Sequence, residues 1–230
     1  TKLIAFDVNS LKTVALFCHQ VIAEIQTRRW PRLAAIICTE VYWRLSGAPT
    51  KSEDGFEQSM AINHLAHFAL CSRLLGGMDS RNGRMVFIGS QAHWPEHAGL
   101  SKGFPTKLPG SLNDLIHPQE ESESIHMGRG FQRYAISKLV IILVMYELNR
   151  RLKKAVAVDP LDLTTSIGQA ARAVVDVAIS DEFAGSEGYF EGRKKVESSP
   201  DRLEKDIQRV LWKHSVAWCD LKECDSLVEL

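Results

Sequence analysis

The chain has 230 residues, of which 45% are hydrophobic and 24% are charged. These fractions are typical of a globular protein, and a chain of this length buries enough apolar surface to need no disulfide or metal for stability. The 28 basic and 28 acidic residues cancel to a formal net charge of zero. This balance argues against a nucleic-acid partner, because surfaces that bind nucleic acid carry an excess of basic residues.

The five cysteines are scattered along the chain and form no CxxC pair. An odd, scattered set is typical of reduced thiols in a cytoplasmic protein, and no Cys/His spacing predicts a metal site. No apolar stretch reaches the roughly 18 residues that a membrane-spanning helix requires. We therefore expect a cytoplasmic protein with no metal site and no membrane partner.

Short apolar runs alternate with helical patterns from one end of the chain to the other. The runs predict strands at 2–7, 33–39, 84–88, 155–158 and 188–190. The helical patterns predict helices at 10–26, 53–75, 131–152 and 169–179, with a polar tail helix from 200 to about 218. This alternation predicts an α/β fold with a doubly wound, mostly parallel sheet and one domain over residues 1–230.

The most specific motif is YAISK, at the start of the helix predicted for 131–152. Tyr134 and Lys138 are four residues apart and therefore share one face of that helix. The ammonium of Lys138 favours the phenolate form and so lowers the pKa of Tyr134, which lets the tyrosine exchange a proton near neutral pH. On its own this spacing more often marks a surface pair, so its interpretation depends on further residues.

Two polar residues upstream supply that context. Ser90 follows the predicted buried strand 84–88, at the carboxyl edge where doubly wound folds hold their sites, and its hydroxyl can bind a substrate oxygen. Asn63 lies inside the apolar helix predicted for 53–75, although Asn is a poor helix former and a buried amide needs partners. An ordinary helix cap and a structural amide stay open as alternative interpretations.

Four segments in chain order carry a resemblance to a known family: GFEQSMAINHLAHF, RMVFIGSQAH, YAISKLVIILVMYELNRRL and GYF. In this order they resemble the short-chain dehydrogenase/reductase family, in particular its retinol-dehydrogenase-like branch. The resemblance extends from about residue 3 to residue 190. It implies a Rossmann-like fold that binds NAD(P) and interconverts an alcohol and a ketone or aldehyde.

The resemblance also implies residue roles. Tyr134 would be the general acid/base, and Lys138 would lower its pKa and contact the nicotinamide ribose. Ser90 would orient the substrate oxygen, and Asn63 would hold a water in the proton relay. Asp7 matches the position that contacts the adenine ring. The substrate pocket would be roofed by the long polar loop between Ser90 and Tyr134.

Two further implications concern the cofactor amide and the assembly. Thr164, or its neighbour Thr165, would bind the nicotinamide amide. The family commonly pairs two long helices into a four-helix interface, so a homodimer is expected through the helices predicted at 53–75 and 131–152.

The chain also departs from the family pattern. The Gly-rich turn that binds the cofactor pyrophosphate would precede residue 1 and does not occur in the sequence. We therefore expect the Rossmann-like sheet to be incomplete on its N-terminal side. Glu40 stands where the family has a glycine that lets the cofactor approach the backbone, and its carboxylate would repel phosphate. Asp159-Pro160-Leu161 stands where the family has Pro-Gly.

Three interpretations follow. In the first, the chain is an NAD(P)-dependent oxidoreductase, or a piece of one. In the second, the cofactor has been lost, and Tyr134 and Lys138 perform acid/base chemistry without hydride transfer, as in an isomerase, dehydratase or cyclase. In the third, the chain is not an enzyme and its long helices serve a dimer. Binding of a pyridine nucleotide separates the first interpretation from the other two.

Overall fold

A five-stranded sheet organises the fold. The computed structural model describes residues 2–95, 103–152, 155–159 and 166–225. Within these ranges the strands are β1 (Ala35–Cys38), β2 (Arg84–Ile88), β3 (Ala155–Asp159), β4 (Gly188–Glu191) and β5 (Lys194–Val196). They lie side by side in chain order; β1 to β4 are parallel, and β5 pairs with β4 in the antiparallel sense.

Five longer helices surround the sheet in the described part of the chain: α1 (Leu11–Gln26), α2 (58–74), α3 (His126–Leu152), α4 (Ile167–Ile179) and α5 (Lys205–Trp218). Helix α2 is composite, with α-helical residues Gln58–Met60, a π-helical turn at Ala61–Ala66 and a second α-helix at His67–Leu74. None of the helices in the described ranges is long and apolar enough to cross a membrane.

Both faces of the sheet are covered, because successive strand residues point to opposite sides. On one face Val86 packs against Val174 of α4. On the other face Met85 and Phe87 pack into the main core, which includes Leu139 of α3. The prediction of a doubly wound α/β fold with a mostly parallel sheet is therefore confirmed.

The prediction of a strand at 2–7 was wrong. Residues 2–7 form no strand, because a strand needs a hydrogen-bonding neighbour and no described strand lies beside this segment. Phe6 instead stacks on Phe17 of α1, with ring centroids 4.1 Å apart. The structure adds a strand that was not predicted, Lys194–Val196, whose two charged residues give no apolar pattern.

The start of α2 differs from the prediction, and the cap of α1 comes from a residue that is remote in sequence. Helix α2 begins at Gln58 rather than Glu53, because Gly55 has a left-handed φ of 83° and the Glu57 carboxylate caps the helix by accepting the N–H of Met60. Ser10 stands at the N-cap position of α1, but its side chain forms no capping hydrogen bond. The Asp54 carboxylate accepts the N–H of Leu11 instead, at 2.9 Å.

The C-terminal helix α5 packs across α2 and α3. Trp212 is fully buried and meets Phe68 of α2 edge to face, with ring centroids 5.0 Å apart. His64 of α2 shares a 2.7 Å hydrogen bond with the Ser215 hydroxyl. The helix predicted as a polar tail is thus amphipathic, and its apolar side closes the main core.

Two buried histidines of α2 make the stability of the fold depend on pH. Burial, and next the neighbouring His67, lowers the pKa of His64 from an ordinary 6.5 to about 3. Burial, and next the Lys138 ammonium, lowers the pKa of His67 to about 4. Both rings stay neutral in the folded chain at pH values where the unfolded chain already binds protons. The free energy of unfolding must therefore fall as the pH drops from 6.5 towards 4.

We expect each histidine to cost roughly 2 kcal/mol of unfolding free energy between pH 7.5 and pH 5, since one pKa unit is worth about 1.4 kcal/mol. Urea denaturation at both pH values measures this loss. His64→Gln should reduce the difference by about the share of one histidine, whereas His19→Gln, at an exposed site on α1, should leave it unchanged. Equal pH dependence in the His64→Gln chain and the parent would contradict the assignment.

Candidate active site

The predicted catalytic residues meet at the carboxyl edge of the parallel strands. Ser90 lies just beyond β2, and Tyr134 and Lys138 lie one turn apart in α3. Asn63 lies in the π-helical turn of α2. Its amide donates to the Ser137 hydroxyl at 2.9 Å, so α2 and α3 are joined directly beside Tyr134. The fold therefore brings together four residues that are spread over more than seventy positions of sequence.

Lys138 is buried, with 2% of its surface exposed. Its Nζ donates to the carbonyl oxygen of Ile88 at 2.9 Å and lies 5.8 Å from the centre of the Tyr134 ring. A buried ammonium is stable only when acceptors replace water, and the end of β2 provides one. The positive charge is thus held beside the phenol, as required for a lysine that favours the phenolate.

Tyr134 lies in a small apolar cluster with Ala92, Phe131 and Leu45, apart from the main core. Trp43 stacks on its ring, with centroids 4.7 Å apart and an angle of 18° between the planes. Tyr134 is 6% exposed, whereas Trp43 is 54% exposed. The indole therefore forms the outer cover of the tyrosine.

Asn63 fixes the loop that carries Trp43. Its Oδ1 accepts the backbone N–H of Tyr42 at 2.6 Å, and its Nδ2 donates to the Tyr42 carbonyl oxygen at 3.0 Å. The amide also donates to Ser137, so one side chain connects the loop, α2 and α3. The π-helical turn around Asn63 is a local distortion of a kind frequently found at functional sites.

The same loop is held at two further points. The Tyr42 and Thr50 hydroxyls share a hydrogen bond of 2.7 Å. At Gly130 the backbone of the loop approaches α3 so closely that a Cβ would lie 2.7 Å from the carbonyl oxygen of Arg44. A larger residue at position 130 would push the loop, and Trp43 with it, away from Tyr134.

Ser90 is held through both its side chain and its backbone. Its Oγ accepts the N–H of Ala92 at 3.2 Å. Its carbonyl oxygen lies 2.6 Å from Nδ1 of the fully buried His93, whose Nε2 accepts the N–H of Ser199 at 3.1 Å. Because a carbonyl accepts and an N–H donates, His93 must be the neutral tautomer with its proton on Nδ1. It ties the Ser90 loop to the segment that follows β5.

A buried ion cluster anchors the other side of the site. Glu57 is 2% exposed and accepts the Met60 N–H at 2.9 Å. Arg133, next to Tyr134, lies 3.6 Å from Glu57 and is paired with Glu121 at 2.6 Å. Burial raises the pKa of Glu57 above its ordinary value, although its hydrogen bonds and Arg133 act in the opposite direction. The cluster connects the start of α2, the loop before α3 and α3 itself.

Curated relatives match almost the whole chain, although no family model matches it. A short-chain dehydrogenase of Talaromyces variabilis is 23% identical over 99% of the chain and 82% of its own length. Retinol dehydrogenase 14 of Mus musculus is 28% identical over 90% of the chain, and retinol dehydrogenase 13 of Homo sapiens is 26% identical over 91%. Over most of its length the chain is thus similar to short-chain dehydrogenases and retinol dehydrogenases.

Two solved structures share the fold of this chain. An uncharacterised protein from Mycobacterium paratuberculosis superposes with a TM-score of 0.68 at 22% identity, over 94% of this chain and 75% of the other. The NADPH-bound carbonyl reductase from chicken fatty liver superposes with a TM-score of 0.55 at 12% identity, over 86% and 77%. The chain spans 63% and 66% of the lengths of the two retinol dehydrogenases.

The residues predicted to bind the cofactor are less well placed than the catalytic ones. Asp7 is exposed, and its Oδ1 accepts the N–H of Asn9 at 2.8 Å. Thr164 lies outside the described residues. Glu40 is exposed beyond the end of β1, where it lines an apolar groove of about 490 Å³ along the strand's outer edge. Among the described residues, no three His, Cys, Asp or Glu side chains are arranged to hold a metal ion.

Sequence reasoning missed four residues that shape this site. Trp43 covers Tyr134, Tyr42 is the partner of Asn63, His93 holds the Ser90 backbone, and Glu57 anchors α2. Glu57 and His93 lie inside the family-like segments GFEQ and SQAH. Membership of those segments could have marked both residues as part of the site. Trp43 lies in no motif, and only the folded chain brings it to the tyrosine.

Replacing Asn63 tests the clamp on the Trp43 loop. Asn63→Leu removes three hydrogen bonds and leaves the backbone groups of Tyr42 without their partners, so we expect a loss of roughly 2 kcal/mol in unfolding free energy. The loop should also move away from Tyr134. Urea denaturation measures the first effect, and quenching of tryptophan fluorescence by acrylamide measures the second.

The chain has five tryptophans, so the quenching is compared with that of the same substitution in a Trp43→Phe background, where the increase should disappear. Asn113→Leu, at an exposed side chain in the loop before α3, serves as the matched control. Unchanged stability and unchanged quenching in Asn63→Leu would show that the clamp does not hold the loop.

Proposed function

We propose that this chain is an oxidoreductase of the short-chain dehydrogenase type, which interconverts an alcohol and a ketone or aldehyde with Tyr134 as the acid/base. The single observation that carries the proposal is the buried Lys138 ammonium held beside the Tyr134 ring, with Ser90 and Asn63 at the same sheet edge. The dehydrogenases among its relatives support the reaction class.

The proposed chemistry follows from the local contacts. In the reductive direction Tyr134 gives a proton to the substrate oxygen, and the Lys138 ammonium stabilises the phenolate that results. The Ser90 Oγ already accepts the N–H of Ala92, so its own proton points to a further acceptor, the substrate oxygen. Both amide protons of Asn63 are committed, which leaves one oxygen lone pair on its side chain to hold a relay water.

The residues present fit one end of a pyridine nucleotide better than the other. NAD(P), when bound, would supply or accept the hydride. Tyr134 and Lys138 would hold its nicotinamide ribose, as the family resemblance implies. On the pyrophosphate side the Glu40 carboxylate stands near the end of β1. Asp7 and Thr164 remain proposed contacts to the adenine and to the nicotinamide amide.

The surroundings of Tyr134 indicate an apolar substrate. Trp43, Leu45, Phe131 and Ala92 surround the phenol with carbon atoms. We infer that the carbonyl of the substrate is attached to an apolar or aromatic group, because that group replaces water against these side chains.

A cofactor-independent acid/base enzyme is the second candidate. The Trp43 indole covers the face of Tyr134, and Glu40 stands near the proposed phosphate path. Both observations favour proton transfer without a hydride.

The proposed homodimer through α2 and α3 meets an obstacle in the fold. Helix α5 packs over both helices, and every residue of α3 from 134 to 145 is buried within the single chain. A dimer through these helices would therefore require α5 to leave its place. Light scattering coupled to size-exclusion chromatography distinguishes a monomer from such a dimer.

Titration with NADPH and NADH, combined with a carbonyl-reduction assay, tests the proposed function. We expect micromolar binding and reduction of apolar aldehydes or ketones by the parent chain. Tyr134→Phe should lower the rate at least about a hundredfold, because it removes the acid/base group. Tyr146→Phe alters a tyrosine of the same helix that bonds Ser198 at 3.0 Å and should retain the rate.

Each outcome has a distinct meaning. Nucleotide binding with activity lost in Tyr134→Phe supports the oxidoreductase. No nucleotide binding up to millimolar concentration contradicts it, and a nucleotide-free activity that Tyr134→Phe abolishes would support the second candidate. Activity that survives in Tyr134→Phe contradicts both.

A further inference from the structure

A second cleft lies at the amino ends of the parallel strands, whereas Tyr134 lies at their carboxyl ends. It has a volume of about 960 Å³ and lies between the ends of α1 and α2, next to the segment that leads into β1. Ser90 follows the end of a strand, whereas Arg32 precedes the beginning of one. The two sites are therefore separated by the length of the parallel strands.

Arginine side chains give this cleft its character. Arg28, Arg29, Arg32 and Arg73 line it, whereas Asp225 is the one acidic residue among its described lining residues. Arg29 also pairs with Glu24 at 2.9 Å. The four arginines outnumber Asp225 and Glu24, so the cleft has a local excess of positive charge, although the whole chain has a formal net charge of zero.

Several guanidinium groups keep free hydrogen-bonding capacity. Among the described residues the exposed Arg28 side chain has no ion-pair or hydrogen-bond partner. Arg32 donates from Nη1 to the carbonyl oxygens of Gly76 and Met78, at 3.0 and 3.2 Å, which leaves its Nη2 group for another acceptor.

The guanidinium of Arg73, in the wall of the cleft, has only some of its donors paired. Its side chain is 13% exposed and pairs with Asp225 through Nη1. Its buried Nε has no hydrogen-bond partner in the described part of the chain. An oxygen-rich anion that drew Arg73 out of this pairing would satisfy more of the guanidinium than Asp225 does.

Capping of helix C-termini accounts for part of this arginine cluster. Helices α1 and α2 both end at the cleft, and basic side chains are favourable near the carbonyls of helix C-termini. Capping explains the Nη1 contacts of Arg32. It does not explain the unpaired side chain of Arg28 or the local excess of positive charge. A planar guanidinium fork matches the oxygens of phosphate, and a phosphate group carries the negative charge that balances an excess of positive charge.

We propose that this cleft, defined by Arg28, Arg29, Arg32 and Arg73, binds a small molecule that bears a phosphate group. Trp30 also lines the cleft and presents a flat apolar surface beside the arginines, with the Lys2 ammonium 4.9 Å from its ring centre. The ligand is a free phosphate-bearing compound rather than a lipid headgroup, because the arginines surround a concave space. The site is independent of the proposed oxidoreductase activity and is tested by binding alone.

Calorimetric titration of the full chain with pyrophosphate, at constant ionic strength set by chloride, provides the first test. We expect a Kd below about 1 mM at pH 7.5. The double substitution Arg28→Gln with Arg29→Gln should weaken binding at least tenfold, and it keeps the Arg32 contacts that cap α2. Arg209→Gln, which removes an exposed arginine of α5, should leave the affinity unchanged.

The nucleotide titration of the proposed active site provides a cross-check. Saturating pyrophosphate should leave the Tyr134-dependent carbonyl reduction intact, because the two sites lie at opposite ends of the parallel strands. Absence of pyrophosphate binding in a chain that reduces carbonyls would contradict the anion site alone. Pyrophosphate binding in a chain that reduces no carbonyl would contradict the proposed oxidoreductase alone.

Two results would overturn the anion site. One is equal pyrophosphate affinity in the parent and the double variant when thermal denaturation shows that both are folded. The other is binding to phosphatidylcholine vesicles that contain phosphatidylserine without measurable binding of pyrophosphate, which would assign the arginines to a membrane surface. Binding of pyrophosphate that depends on Arg28 and Arg29 supports the proposal.

Discussion

The burial of helix α3 is the constraint on which the rest of this structure depends. Residues 134–145 of α3 are buried on every side, so this part of the helix must be enclosed by other elements. The sheet covers one side of α3, α2 covers a second and α5 covers a third. Because Tyr134 and Lys138 belong to the same helix, the enclosure that stabilises the fold also removes water from the proposed acid/base pair. The Ile88 carbonyl then becomes necessary, since it replaces water around the Lys138 ammonium.

The site is shared between the rigid helices and one loop. Asn63, on α2, holds the backbone of Tyr42 and so sets the position of Trp43 over Tyr134. Access to the tyrosine therefore depends on Trp43, which belongs to none of the four family-like segments. Trp43 covers the proposed acid/base group, so a substrate has to fit beside the indole or displace it.

The elements that were predictable from sequence are those whose signal is local. The buried strand β2 matched its predicted bounds, and α3 was predicted from its apolar run, because burial leaves its mark on composition. Pairing is not local, and for that reason residues 2–7 have the composition of a strand without forming one. The candidate catalytic residues were predicted through the family resemblance, and their role stays a prediction. Trp43 and the Asp54 cap of α1 were not predicted, since each acts on a residue that only folding brings near.

The connection between α5 and α2 has a consequence for how the protein is made. The hydrogen bond from His64 to Ser215 joins residues 151 positions apart, and Trp212 covers Phe68 across a similar distance. During synthesis α2 and α3 leave the ribosome long before the helix that shields them. Their apolar surfaces stay open to other nascent chains in that interval, which is when multi-element proteins most often aggregate. The arrival of α5 thus decides whether the core built by α2 and α3 becomes enclosed, and a ribosome that stalled before residue 205 would leave that apolar surface exposed.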